Sequence, residues 1–167
     1  MRAPRFRAAA IAMLLAWTMS LAACAHAISA RARAMVDKGV PVDRLFRDPE
    51  EFKGRTVMLG GIIASTRNEQ KRTYIEVVQL PLDYRGRPED EDVTEGRFIV
   101  EAEGYLDPAI YARGREITVV GVVLGSTVRP LGDIEYSYLL LRSVEVHLFG
   151  PYYGVPFRFG IGIGATF

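Results

Sequence analysis

Residues 115–125 read Arg-Glu-Ile-Thr-Val-Val-Gly-Val-Val-Leu-Gly. Branched apolar residues at this density suit a pleated, packed strand better than a helix, whose preceding turn restricts them at χ1. The run is nearly continuous, as in a strand covered on both faces, and Gly121 interrupts it. A glycine inside a strand marks a bulge, a bend or a close approach of another backbone. On either side the pattern repeats. Upstream, residues 55–66 carry Gly60-Gly61 in a branched apolar run, residues 73–80 end at Pro81, and residues 96–103 set Phe98, Val100 and Ala102 against Ile99, Glu101 and Glu103. Downstream come residues 134–141 and residues 144–149, where Val144, Val146 and Leu148 alternate with Glu145 and His147.

Six short strands with turn signals between them predict an all-β domain, a sandwich or a barrel. The glycines inside strands favour a barrel, because tightly coiled strands need bends. Just before the first strand, residues 43–54 read as a turn or two of helix, with Asp48 as cap, Pro49 at the first helical position and Gly54 as the stop. A small antiparallel β-barrel with a short helical segment before its first strand resembles the OB architecture.

The amino terminus belongs to a different regime. Arg2, Arg5 and Arg7 precede a 16-residue apolar run at 8–23, which ends in Leu21-Ala22-Ala23-Cys24. A basic start, an apolar middle and a small-residue exit form a signal peptide. The run is shorter than the roughly 20 residues a bilayer-spanning helix needs. Leu-Ala-Ala-Cys resembles a bacterial lipobox, in which the cysteine thiol takes a diacylglyceryl group and the bond before it is cut. Two or more acyl chains hold a protein on a membrane durably, at about 0.8 kcal/mol per buried methylene. Cys24, the sole cysteine, is therefore the expected lipidation site, and no thiol is left for a disulfide. Ala25 stands where an aspartate would signal inner-membrane retention, so the expected destination is the outer membrane, on its periplasmic face.

The expected organisation is a leader at 1–23, a lipidated start and alanine-rich tether at 24–40, the barrel at 41–150 and a Gly/aromatic tail at 151–167. In the tether, residues 25–34 suit a short helix. In the tail, Phe157, Phe159, Ile161 and Ile163 alternate with Arg158, Gly160, Gly162 and Gly164, which suits an extra edge strand or a flexible end. The chain has 21 basic and 20 acidic residues; three arginines lie in the leader, which leaves 18 against 20. A nearly neutral domain gives no electrostatic case for nucleic acid.

Several phrases are similar to the Slp family of outer-membrane lipoproteins. They are Gly60-Gly61-Ile62-Ile63 with Asn68; Ile75-Glu76-Val77-Val78-Gln79-Leu80-Pro81-Leu82-Asp83 with Gly86-Arg87-Pro88; Gly96-Arg97-Phe98; Gly104-Tyr105-Leu106-Asp107-Pro108-Ala109-Ile110-Tyr111; and Gly114-Arg115 leading into Thr118-Val119-Val120-Gly121. Their order spans residues 41–149. The chain departs from the family pattern at Leu59, Leu139 and Phe149, and in its glycine-rich tail. The resemblance implies an envelope lipoprotein linked to starvation or stress, with no established chemistry.

The residues for catalysis are sparse. His26 and His147 are too far apart in sequence to suggest a zinc site, and no Gly-x-Ser-x-Gly or phosphate-cradling motif is present. Glu76 and Glu101 are the candidate cross-strand acid pair, more simply read as solvated outward acids. The acidic loop at 83–95 lacks calcium-loop spacing. The expectation is a protein with no catalytic residue, cofactor or metal. It would hold the membrane through Cys24 and meet an envelope partner in a structural or interaction role. The alternative is a periplasmic OB-like module that binds an oligosaccharide or small ligand by stacking on Tyr74, Tyr84, Tyr105, Tyr111, Tyr136 and Tyr138. Four or more exposed tyrosines around one concave face would favour that alternative.

Overall fold

Thr73, Ile75, Val77 and Gln79 are buried along β2 (Arg72–Leu80), and the residues between them face outward. That period of two is what a strand with one face on a core dictates. The computed structural model describes residues 26–89 and 92–150. The leader 1–23, Cys24, Asp90, Glu91 and the tail 151–167 lie outside the described residues. With β1 (Thr56–Glu69), β3 (Arg97–Glu103), β4 (Glu116–Leu131) and β5 (Ile134–Leu148), β2 forms a closed barrel in the order β1-β2-β3-β5-β4. The fold is the small OB-like all-β barrel expected. Four of its pairings are antiparallel and β3 runs parallel to β5.

Where the sequence suggests two strands at 134–141 and 144–149, one strand, β5, runs through both. The reason is a bulge. Gly121 pairs with Ser143 and Val120 with Glu145, so Val144 has no partner across the ladder and is 41% exposed. Val146 and Leu148 still pack on the core. The inward phase therefore shifts at Val144, and a phase shift looks like a strand break in sequence.

The core is filled by side chains such as Val57, Ile63, Ile75, Phe98, Ile117 and Leu141. One end is sealed by Leu45 and Phe46 of a helix at Val42–Arg47 and by Phe52 of a 3₁₀ turn at Pro49–Phe52. Phe46 meets Phe98 edge-on at 6.4 Å. Pro49 holds the first position of the turn as expected, but Asp48 makes no side-chain capping bond. Instead Glu50 reaches across and accepts from the Ser126 N–H at 2.9 Å. The other end is closed by Leu106 and Tyr111 of the β3–β4 connection. Asn68 Nδ2 donates to Leu106 O at 3.1 Å, and Thr73 Oγ1 accepts from Leu106 N–H at 2.9 Å.

The β1–β4 wall carries a second layer. Residues 81–89 fold back over it: Leu82 lies over Gly60, and Thr118 Oγ1 donates to Gly86 O at 2.7 Å in a buried bond. A further helix, α1 (Ala30–Ala34), packs beside that loop, with Ile28 and Ala32 buried against Val120 and Met58. Ser29 caps α1 by accepting from Ala32 N–H, as its residue type favours. Burying Ile28 contributes about 1.5–3 kcal/mol toward holding the segment down. The helix at Val42–Arg47 is α2.

Gly60 and Gly61 lie where β1 pairs with β2 and β4 at once. The register shift of β1 comes later, between Ile63 and Ser65. The double glycine serves close approach: a Cβ on Gly61 would strike Val78 O, and one on Gly60 would strike Leu82. Gly121 does lie at a register shift, and a Cβ there would come 2.9 Å from Arg142 O. Gly121→Val is expected to destabilise the domain by about 1–3 kcal/mol through overpacking and strain. Gly150→Ala, with nothing within 4 Å of the added carbon, serves as the neutral control. Chemical denaturation of the two variants checks the difference, and equal midpoints would count against a packed bulge at Gly121.

Candidate functional site

The outward residues of β2 include Arg72, Tyr74, Glu76 and Val78, and of these Tyr74 and Glu76 face a hairpin arm. The arm is the outer part of β4 and β5, residues 126–138, beyond a second register shift between Val123 and Gly125. It curls over the sheet, so that the Arg129 guanidinium lies 5.1 Å from the centre of the Tyr74 ring. A cleft of about 260 Å³ lies between arm and sheet. Ser65, Tyr74, Glu76 and Ile99 line its sheet side, and Arg129 and Tyr138 its arm side.

The polar groups of this surface bind one another. Glu76 Oε1 accepts from Arg97 at 2.6 Å and from the Tyr138 hydroxyl at 3.4 Å, and Oε2 accepts from Ser65 Oγ at 3.2 Å. Tyr136 adds an edge-on ring contact with Tyr138 at 4.8 Å and accepts from the Arg97 N–H at 3.2 Å. Burial, then the nearby Glu76 carboxylate, pushes the Tyr138 hydroxyl above its usual pKa. Glu101 is buried and receives Arg72 at 2.7 Å and Arg142 at 3.5 Å. A buried carboxylate requires such partners.

The two acids singled out from sequence therefore share an outer surface without forming a dyad. Glu76 stands opposite Ile99, and Glu101 opposite Tyr74, which offsets the two by two residues along the ladder. Each is held by its own arginines. His147 stands opposite Thr118, half-buried, with its ring edge-on to Phe149 at 4.7 Å. His26 lies at the other face of the second layer: its Nδ1 accepts from Ile28 N–H at 3.2 Å, and its ring lies against Gly86. Burial, with Arg33 adding to it, lowers the His26 pKa. Among the described residues no three His, Cys, Asp or Glu side chains come together as a metal site would need.

Of the six tyrosines, Tyr74, Tyr136 and Tyr138 gather at the cleft, but Tyr138 is only 2% exposed. Tyr84 and Tyr105 are 76% and 73% exposed on separate loops, and Tyr111 helps to seal the core. The condition of four exposed tyrosines on one concave face is not met. Sequence reasoning missed Arg129 and Arg97 as partners of the tyrosine and the acid. The signal for the sheet side was present in the alternation of Arg72, Tyr74 and Glu76 with buried neighbours. No local pattern announces the curl of the arm.

Fold and surface together define an OB-like barrel whose built surface is a cleft between a sheet face and a hairpin arm. The sequence pattern of the outer membrane lipoprotein Slp family matches residues 21–157, and the chain belongs to that family. It is thus an outer-membrane, lipid-anchored protein. It is similar to the uncharacterized lipoprotein YeaY of Escherichia coli K12, with 29% identity over 99 residues, covering 59% of this chain and 51% of that one. It is also similar to the outer membrane protein Slp of the same organism, with 29% identity over 91 residues, covering 54% of this chain and 48% of that one. The chain spans about half the length of these curated relatives. Among solved structures it is similar to the mitochondrial single-stranded DNA binding protein Rim1 of S. cerevisiae, at 13% identity and a TM-score of 0.35, covering 58% of this chain and 94% of that one. Membership of the lipoprotein family bears on function; so distant a structural likeness does not.

Electrostatics of the second layer yield a pH prediction. Glu145 accepts from the Ser29 hydroxyl at 2.5 Å and the Ser29 N–H at 2.8 Å. These bonds, with His147 nearby, hold its carboxyl below its ordinary value of 4.5. Asp37 is likewise lowered by the Thr56 N–H and by Arg55. A carboxylate depressed in the folded state stabilises above its unfolded pKa, and that contribution is lost as pH falls through the folded value. Docking of α1 should therefore hold at neutral pH and weaken as pH drops below about 4.5. Methyl NMR of Ile28 should show this, and Glu145→Gln should leave only the parts of the pH dependence due to Asp37 and to His26, whose lowered pKa also disfavours docking in acid. An unchanged Ile28 environment down to acid unfolding would contradict the clamp.

Proposed function

We propose that Cys24 is the lipidated residue and that residues 1–23 are removed. On this reading the domain faces the periplasm and acts by contact with another envelope component under starvation or stress. The observation that carries the contact reading is the arm cleft. Its one acid, Glu76, is paired with Arg97, and Glu101 on the neighbouring surface is paired with Arg72 and Arg142, so the cleft offers aromatic area and paired charge rather than a free carboxylate. General acid–base catalysis needs a group whose proton can be exchanged with a substrate at working pH. Glu76 and Glu101 instead spend their oxygens on Arg97, Tyr138, Ser65, Arg72 and Arg142. The lipobox resemblance at Leu21-Ala22-Ala23-Cys24, membership of an outer-membrane lipoprotein family and Ala25 after the cysteine support the anchor and its destination.

The second reading, an oligosaccharide or small ligand stacked in the cleft, draws on half-buried Tyr74, already covered by Arg129, and on half-buried Tyr136, already edge-on to Tyr138. Tyr84 and Tyr105 lie outside that cleft, which weighs against it.

Mass spectrometry of the amino-terminal peptide of the mature protein tests the anchor, with acylated Cys24 as its first residue as the expected result. Cys24→Ala should block processing or release the protein from the membrane, and with it abolish any stress phenotype. His147→Ala, correctly folded and located, should leave that phenotype intact, whereas Arg129→Glu should weaken it by disrupting the cleft. An inactive His147→Ala protein in its proper place, or full activity from a soluble form, would argue for catalysis or free ligand binding.

A further inference from the structure

The cleft is built on β2, β3, the far end of β1 at Ser65 and the arm, while the amino-terminal segment docks on the β1–β4 wall at Met58 and Val120. In a closed ring ordered β1-β2-β3-β5-β4, β3 is the strand farthest from the β1–β4 seam. The place where the chain arrives and the place where the cleft opens are thus on opposite sides of the barrel.

The arrival point is fixed early. The Ala27 N–H donates to Arg85 O at 2.9 Å, His26 lies against Gly86, Ile28 is 1% exposed and Ser29 is clamped by Glu145. Cys24 precedes His26 by two residues, which at full extension spans at most about 7 Å. A lipidated Cys24 sits at the headgroup boundary of its leaflet, so the bilayer surface cannot be much farther than that from His26. No length of tether remains to let the domain turn freely.

The surface around His26 has matching chemistry. Tyr84 is 76% exposed, with the Arg85 guanidinium 5.1 Å from its ring centre. Arg33 is exposed on α1, with its Nε donating to Ile28 O at 3.2 Å. Tyrosine with its polar tip and arginine with its long stem are side chains that settle at a membrane–water interface, and cations there gain from anionic lipid. Two of the nearby acids are engaged by donors of the protein itself. Asp83 Oδ1 accepts from the Arg85 and Arg87 amides at 2.8 Å each, and Glu145 is spent on Ser29. Met35, 49% exposed, lies just after α1 on the same side, whereas Val128 and Ile134, each 60% exposed, lie on the arm beside the cleft, and Val93, Tyr105 and Ile110 are exposed on other connections.

We propose that the loop at 83–87, with the start of α1, is the membrane-apposed surface of this protein, with Tyr84 and Arg85 seated in the headgroup layer of a leaflet containing anionic phospholipid. The arm cleft then faces the aqueous compartment, where a partner can reach it. This rests on acylation of Cys24.

The test uses the full lipidated protein in vesicles of phosphatidylethanolamine and phosphatidylglycerol that carry a headgroup nitroxide quencher. Acylated Cys24 does not react with thiol dyes, so Tyr84→Cys and Ile134→Cys, both at exposed positions, each place one fluorophore. The expected result is quenching at 84 at least twofold stronger than at 134, and a loss of that quenching when a flexible Gly/Ser spacer is inserted after Ala25. Equal quenching at both positions, stronger quenching at 134, or none at either would overturn the orientation while the protein still floats with the vesicles. A protein that does not float, with an unmodified Cys24 by mass, would instead overturn the anchor and the orientation with it.

Discussion

Barrel closure through β1 is the constraint on which the rest of this structure depends. Between Gly60 and Ile62 a single strand bonds to β2 on one side and to β4 on the other. Five strands enclose a narrow interior, so the strand that serves both edges must coil tightly and let its neighbours come close. Gly61 meets that demand by leaving space for the Val78 carbonyl. The same narrowness explains why Ile63, Ile75, Val77, Phe98, Val100 and Ile117 are each fully buried. Side chains fill the interior, and any binding surface has to be built outside the barrel.

Two outer surfaces arise from that closure, by different means. On the β1–β4 wall, Gly60 removes a side chain so that Leu82 can lie flat, and Thr118 satisfies the Gly86 carbonyl that this crossing would otherwise bury without a partner. That loop in turn supplies the Arg85 carbonyl that receives the incoming chain at Ala27. On the opposite side, the β4–β5 arm outgrows the barrel and folds back, bringing Arg129 over Tyr74. One wall is committed to holding the amino-terminal segment and the other presents a cleft. For an outer-membrane lipid-anchored protein, such a division is what the proposed contact role would require.

The phrases that carry the family resemblance are scattered in sequence and adjacent in space. Asn68 and the stretch from Gly104 to Leu106 meet at one end of the barrel, joined through Thr73. Gly60, Leu82, Gly86 and Thr118 meet on the β1–β4 wall. Both clusters pin a connection to a strand. The same phrases take in the Glu76–Arg97 pair of the outer surface, whereas the cleft residues Ser65, Arg129 and Tyr138 fall outside them.

The sequence by itself determined the class of fold, because branched residues in period-two runs can bury their surface only as strands, and because glycines inside those runs point to tight coiling. It also marked the helical plug, since Pro49 and Gly54 act on their own backbone. The lipobox resemblance at Cys24 is similarly local. Only the tertiary structure decided that 134–148 is one strand, because a bulge at Val144 shifts the phase by a single residue and reads locally as an end. It alone decided that Ile28 and Ala32, in what reads as an alanine-rich spacer, are buried on the barrel wall. It alone decided that Glu76 and Glu101 take arginine partners instead of each other. Those outcomes depend on which surfaces meet after closure, and partners such as Ser29 and Glu145, 116 residues apart, leave no mark in either local sequence.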